Sequence, residues 1–337
     1  MARLFENIFV TGGAGYCGSR LVPQLLDAGY RVTVYDNCYF GSEFLPKGNP
    51  RLKVITGDIR DTATLARTVQ GHDAFVSLAC ISNDASFELD EKLSTSINMD
   101  AFEPMVKAVK AAGVKRFVYA SSSSVYGVSD KPDVTEDHPL VPLTLYNKYK
   151  GLCEPILKRY ADQSFTGVIF RPATVCGYAP RLRLDLSVNI LTNHAVTNNK
   201  ITVFGGSQLR PNLHVQDYCD AVALFLTAPA EKIQKETFNV GYQNMSIMDI
   251  ALLVKRVVEE GFPGRPPIEI ITTPTDDIRS YHINSDKIAR VLGFRPKYTI
   301  EDAVRSLCEA FKAGKIANSM TDDRYYNIRT MKKLNVR

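Results

Sequence analysis

The sequence predicts an α/β protein, a doubly wound parallel sheet followed by a smaller, mostly helical C-terminal lobe. Three observations carry this. Short β-branched runs alternate with helical patterns through the first half of the chain. A glycine cluster joins the first run to the first helix. After Arg171 the alternation gives way to proline, glycine and irregular segments. A βαβα alternation requires a parallel sheet, because each connection must cross over a face and cover it with a helix.

The elements follow in order. Ile8-Phe9-Val10-Thr11 is an apolar run ending in glycines, and a helical pattern runs from about Tyr16 to Ala28 with Leu21, Val22, Leu25 and Leu26 on one face. Gly29 supplies its stop. Strands are predicted at Arg31–Tyr35 and Leu52–Ile55, a helix capped by Asp61 reaching about Val69, and a fourth strand at Ala74–Leu78. One long helix is predicted over about 93–112, a fifth strand at Phe117–Ala120 and a sixth at Gly167–Phe170. Later patterns predict helices near 215–226, 246–259, 285–292 and 300–313, and a strand near 237–240. The expected organisation is a first domain over 1–173 to which 215–240 returns, and a second lobe made of 174–214 and 241–337.

Composition narrows the class. The chain has 337 residues, 45% hydrophobic and 23% charged, enough for a sizeable core and ordinary for a globular protein. A net charge of +5 is modest, and no basic run interleaved with aromatics points to nucleic acid. The basic stretch Arg329–Arg337 reads as a solvated tail. Seven cysteines, an odd number with no Cys-x-x-Cys spacing, argue against a disulfide framework or a metal site and for a reducing compartment. No signal peptide and no membrane-length apolar stretch is read, so cytoplasm is the expected location.

The most informative segment is Thr11-Gly12-Gly13-Ala14-Gly15-Tyr16-Cys17-Gly18, a G-x-x-G-x-x-G between strand and helix. Gly12 and Gly13 permit a tight turn, Gly15 lets the backbone approach a pyrophosphate at the positive helix N-terminus, and Gly18 permits close packing. Asp36 ends the second strand, placed to accept hydrogen bonds from a ribose diol. A carboxylate there repels a 2′-phosphate and no Arg or Lys stands at 37 or 38, so NAD is favoured over NADP. Asp58, in Gly57-Asp58-Ile59, ends the third strand where an adenine edge comes within reach; an ordinary turn acid is the alternative.

Two further elements carry chemistry. Tyr146 and Lys150 stand four apart, hence on one face of a helix. An ammonium one turn away favours the anionic form of a phenol, which can then accept a hydroxyl proton while a hydride leaves the same carbon. The run Ser121-Ser122-Ser123-Ser124-Val125-Tyr126-Gly127 follows the fifth strand, at the sheet edge where ligands bind in open α/β folds.

Together these residues resemble the extended short-chain dehydrogenase/reductase family and, within it, the nucleotide-sugar epimerases and dehydratases. The resemblance spans nearly the whole chain and includes Asn98, Arg171-Pro172, Arg210 before Leu213-His214-Val215, and Asp277-x-Arg279. It implies a Rossmann-like NAD domain and a lobe that binds a nucleotide-diphosphate sugar. It gives Ser122, Tyr146 and Lys150 catalytic roles. It places Gly12, Gly15, Tyr16, Cys17, Gly18, Asp36, Asn37, Asp58, Ile59, Leu78, Ala79, Cys80 and Asn98 at the cofactor, with Tyr146 and Lys150. It places Ser82, Ser123, Thr174, Asn189, Arg210 and Arg279 at the substrate. Thr174 stands where asparagine is common in the family. No metal is implied. The resemblance also implies a homodimer through helices near 93–112 and 146–160; Leu152, Ile156, Leu157 and Tyr160 form an apolar stripe that fits either an interface or the protomer's own core.

The expected reaction is C4 epimerisation through a 4-keto sugar, with an NAD(P)H-dependent 4-ketoreductase as the alternative. Dehydratases of the family place an Asp-Glu pair where this chain has Ser123 and Ser124, which sets a 4,6-dehydratase lower. The presence of both Tyr146 and Lys150 sets a non-catalytic regulator lower still. Cys176 reads as a packed thiol. Arg181, Arg183 and Asp185 read as surface, with recognition of a carboxylate or phosphate as the alternative.

Overall fold

A computed structural model describes residues 4–82, 84–87, 89–129, 131, 133–275 and 280–334. In its first half, β1 (Asn7–Thr11), α1 (Tyr16–Asp27), β2 (Arg31–Asp36), β3 (Leu52–Thr56), α2 (Thr62–Thr68) and β4 (Ala74–Ser77) follow one another. Then come α3 (Asp84–Phe87), α4 (Glu91–Thr95), a π-helical turn at Ser96–Asp100, α5 (Phe102–Ala111) and β5 (Arg116–Ala120). A 3₁₀ turn at Ser123–Tyr126, α6 (Leu145–Tyr160) and β6 (Thr166–Pro172) complete this half.

The second half opens with β7 (Thr174–Cys176), α7 (Ser187–Asn198), β8 (Lys200–Phe204), β9 (Leu209–His214), α8 (Val215–Thr227) and α9 (Ala230–Ile233). It continues with β10 (Thr237–Val240), β11 (Gln243–Ser246), α10 (Ile247–Gly261) and β12 (Glu269–Thr273). It ends with α11 (Asp286–Leu292), α12 (Ile300–Lys312) and α13 (Asn327–Leu334).

Seven parallel strands lie in the order β10-β6-β5-β4-β1-β2-β3. The connection direction reverses between β1 and β4, and a crevice opens there at the strands' C-terminal ends. One apolar cluster packs α1 and α8 on one face of the sheet, through Leu21, Leu25, Val222 and Phe225. A second packs α2, α5 and α6 on the other, through Leu65, Val106, Val109 and Leu157. Both faces are covered, which is why β1, β4 and β5 read as continuous apolar runs rather than alternating ones.

Two expectations need correction, and one gains detail. The helix over 93–112 is broken by the π-helical turn, an insertion common at functional sites. There the Asn98 amide pairs with both the N–H and the carbonyl of Ile81 (2.9 and 2.8 Å), while its own carbonyl accepts from the Cys153 thiol. The second lobe is mostly helical, as expected. It also carries a three-stranded sheet, β11-β9-β7, and a two-stranded one, β12-β8. Third, the chain as far as Leu334 is a helix and not a tail: α13 docks through buried Met331, while its basic residues Arg329, Lys332 and Lys333 stay exposed as expected.

The helix α7 has no amphipathic signature in the sequence. It is buried on nearly every side, from Val188 to Val196, so it shows no polar stripe. In the α6 stripe, Leu157 is fully buried and Ile156 and Tyr160 pack partly against the core, whereas Leu152 is 41% exposed.

Candidate active site

A cavity of about 580 Å³ runs along the sheet's C-terminal edge. At one end stands the turn between β1 and α1. Gly12 has φ +73°, and a Cβ there would sit 2.5 Å from the Ala79 backbone nitrogen beyond β4. A Cβ on Gly18 would meet the Gly13 carbonyl oxygen at 2.4 Å. The loop can therefore hug the sheet only with glycine at both positions, and this aims the α1 N-terminus into the cavity. Asp36 closes this end. Its carboxylate accepts from the backbone N–H of Ala14 (2.9 Å) and of Cys38 (2.8 Å), and burial raises its pKa even against those two bonds.

Asp58 is less available than its position suggests. Arg60 binds it through Nη2 at 2.6 Å, and these bonds outweigh the opposing effect of partial burial to hold the carboxyl below the usual range. Asn37, Ile59, Leu78, Ala79 and Cys80 line the same stretch, as do Gly15, Tyr16 and Cys17. Tyr16 also reaches across to the second lobe, donating its hydroxyl to the Gly177 carbonyl (2.6 Å).

At the other end Ser122, Ser123, Ser124, Tyr146 and Lys150 line the wall. Thr144 caps α6, accepting from the Asn147 N–H and donating to Asp84 (2.6 Å), which fixes the helix turn bearing Tyr146. Lys150 is buried; its ammonium donates to the Ala120 carbonyl (2.7 Å) and lies 5.3 Å from the centre of the Tyr119 ring. Ser122 and Ser124 share a hydroxyl–hydroxyl bond of 2.6 Å, and Ser124 donates in turn to the Asn147 side chain. Ser122 thus has a fixed partner chain that leads onto α6. Behind it, Ser121 donates to Glu154 (2.6 Å), which is locked by Arg171 through two bonds of 2.9 and 2.6 Å.

Opposite stand Ser82, Thr174, Arg210 and Tyr281, with the Arg210 guanidinium 5.0 Å from the centre of the Tyr281 ring. Two residues expected at ligands lie outside the cavity lining. Asn98 holds the Ile81 peptide, as described above. Asn189 is fully buried, its amide accepting from Gly177 N–H (2.9 Å) and donating to the Arg183 carbonyl (2.8 Å). Both support neighbours that do line the cavity. Arg279 lies outside the described residues.

The surface reading of Arg181, Arg183 and Asp185 is overturned: all three line the cavity and both arginines are buried. Arg183 pairs with Asp185 at 2.9 Å and donates to Ser82 (2.8 Å). Arg181 donates to Asn327 (2.6 Å), a contact with the C-terminal segment that no local pattern announces. Burial, with Arg183 close by, brings the Arg181 pKa down to about 9. Cys176 is a packed thiol, pushed up to about 12 by burial.

The NAD-dependent epimerase/dehydratase family model matches residues 8–241, from β1 through β10. The chain belongs to that family. Among its relatives, a UDP-glucose 4-epimerase of Rhizobium leguminosarum bv. trifolii is 26% identical over 324 residues, covering 89% of this chain and 96% of that protein. A dTDP-glucose 4,6-dehydratase of an Actinoplanes species is 25% identical over 327 residues, covering 92% and 98%. The crystal structure of UDP-glucose 4-epimerase from Thermotoga maritima with UDP-glucose superposes with a TM-score of 0.80 at 25% identity, covering 91% of this chain and 99% of that one.

NAD is the cofactor of this epimerase/dehydratase family, and the residues present fit it. The glycine turn leaves the helix N-terminus open to an anion, Asp36 stands at the end of β2, and the cavity continues from there to Tyr146. Among the described residues no group of three or more His, Cys, Asp or Glu could hold a metal ion, and no helix is long and apolar enough to cross a membrane.

Proposed function

We propose that the protein is a nucleotide-sugar 4-epimerase. The observation that carries this is the composition of one wall. Ser122, Tyr146 and Lys150 meet in the cavity, and the two positions after Ser122 are serines, with Ser124 bound to Asn147. A 4,6-dehydration needs a further acid and base there, and serine supplies neither unaided.

Bound NAD supplies the hydride acceptor and donor. Tyr146 takes the proton of the sugar C4 hydroxyl and later returns it to the ketone oxygen. Ser122, whose one hydroxyl proton lies on Ser124 in the free site, turns it to that oxygen when the sugar binds. Lys150, fixed by Ala120, sets the positive field that favours the Tyr146 anion. Thr174, Ser82 and Ser123 face the sugar, and Arg210 and Arg279 hold the nucleotide diphosphate, for which the guanidinium fork is suited. The reading includes a cytoplasmic homodimer formed through α5 and α6, with the exposed Leu152 on the shared face.

The test is proton NMR of purified protein with a panel of UDP- and dTDP-hexoses in D₂O and no added cofactor. Interconversion of C4 epimers without deuterium at C5 is expected. Deuterium at C5 with loss of the C6 hydroxyl would establish a dehydratase. Turnover of a 4-keto sugar only with added NAD(P)H would establish the ketoreductase.

A further inference from the structure

The roof of the cavity carries donors that the protein does not use. Arg181 is 2% exposed and Arg183 7% exposed. Yet Nε of Arg181 and Nη2 of Arg183 are buried without a hydrogen-bond partner among the described residues. A buried charged donor left unpaired is costly, and such groups ask for an acceptor. The bonds the two side chains do make hold them still: Asn327 on Arg181, and Asp185 and Ser82 on Arg183. Asn327 also donates its backbone N–H to Asp185 (3.0 Å), so one residue from the C-terminal segment ties both arginines in place.

Their location selects the ligand. The Arg181 backbone N–H donates to Ser19 on α1 (3.1 Å), and its guanidinium lies 4.0 Å from the centre of the Phe40 ring, beside the Asp36 end of the cavity. Arg183 lies within electrostatic reach of Cys17, in the glycine turn, and of Tyr146. The pair therefore spans the stretch between the ribose acid and the catalytic tyrosine, facing the α1 N-terminus. Arg183 is ion-paired with Asp185, whereas Arg181 has no carboxylate at ion-pair distance among the described residues and feels Asp185 and Asp36 only through space. A diphosphate carries the charge complementary to two guanidiniums that line the cavity. Arg181 touches residues of the cofactor end, Ser19 and Phe40, while Arg183 also holds Ser82 of the sugar-facing set.

We propose that Arg181 and Arg183, latched by Asn327, form a roof-side oxyanion site that grips the NAD pyrophosphate against the glycine turn and retains the cofactor between turnovers. The inference rests on NAD use and is independent of which sugar reaction follows.

The experiment measures NAD, ADP and adenosine affinities by calorimetry and the NAD release rate by stopped flow, without any sugar, for wild type, Arg181→Gln, Arg183→Gln and Asn327→Ala. Each arginine variant should lose about tenfold or more in NAD and ADP affinity, the size of one charge-assisted bond, and release NAD correspondingly faster. Adenosine, which has no phosphate, should bind all variants within about twofold of wild type, and this control separates a lost contact from a damaged fold. Asn327→Ala, which keeps both charges, should show a smaller loss of the same kind. Unchanged NAD and ADP affinity in both arginine variants would overturn the proposal; a raised KM for the sugar in the same variants would then assign the pair to the substrate. Parallel loss of adenosine and NAD affinity would also overturn it, assigning the arginines a purely structural role.

Discussion

The two walls of the cavity are built in opposite ways. The floor, from the glycine turn through Ser122 to Tyr146 and Lys150, comes from strand ends and helix starts whose chemistry lies within a few residues of itself. The roof, Arg181, Arg183, Arg210, Tyr281 and Asn327, is gathered from segments up to 146 residues apart. The floor is positioned by backbone geometry: a glycine turn, a capped helix, an ammonium on a carbonyl. The roof is positioned by side chain-to-side chain bonds between segments. A floor of this kind suits chemistry that tolerates little displacement, while a roof assembled from remote parts can differ between relatives without disturbing the sheet.

This contrast can be broken at several points. The largest expected effect is on the floor: Tyr146→Phe should lower turnover by about 10²- to 10⁴-fold, the usual contribution of a positioned acid–base group, while NAD affinity stays as in wild type. Retained turnover would remove Tyr146 from the mechanism.

Next comes the support behind the floor. Glu154→Gln leaves the Arg171 guanidinium, 6% exposed, without its carboxylate, and should cost about 3–5 kcal/mol in urea unfolding. A loss below about 1 kcal/mol would show that Tyr126 and the Glu136 carbonyl alone satisfy Arg171.

The joint between the walls should respond to pH. His214 ends β9 and accepts the Gln216 N–H on Nδ1 (3.0 Å); burial lowers its pKa from 6.5 to about 4. The unfolded chain therefore binds a proton below pH 6.5 that the folded chain refuses until about pH 4. Its stabilising contribution is complete above pH 6.5 and is lost as pH falls to about 4, a change of about 3 kcal/mol. His214→Asn, which keeps a capping acceptor, should flatten that part of the stability–pH profile in chemical denaturation.

The smallest effect expected is at Asp36. Replacing it with Asn should weaken NAD binding by about tenfold and narrow the preference over NADP, read by calorimetry with both dinucleotides. An unchanged preference would mean that the shape of the Cys38–Gly41 turn, not the charge, excludes the 2′-phosphate.

What the sequence determined by itself was the framework and the floor. Short apolar runs, period-3.6 patterns, the glycine spacing, Asp36 at a strand end and Tyr146 four residues before Lys150 are all local, and local sterics and hydrogen bonding decide their geometry. The tertiary structure alone decided the rest. Arg181 and Arg183 look like surface residues until Ser19, Phe40, Asp185 and Asn327 close around them. Asn98 and Asn189 stand behind the cavity lining because their amides meet backbone groups that would otherwise be left unpaired. The helix α7 hides because burial on every side erases its periodicity, and the π-helical turn because it depends on how Ile81 and Cys153 meet Asn98. In each case the deciding energy is the desolvation of a polar or apolar group by a remote segment, and a linear sequence does not record which segments meet.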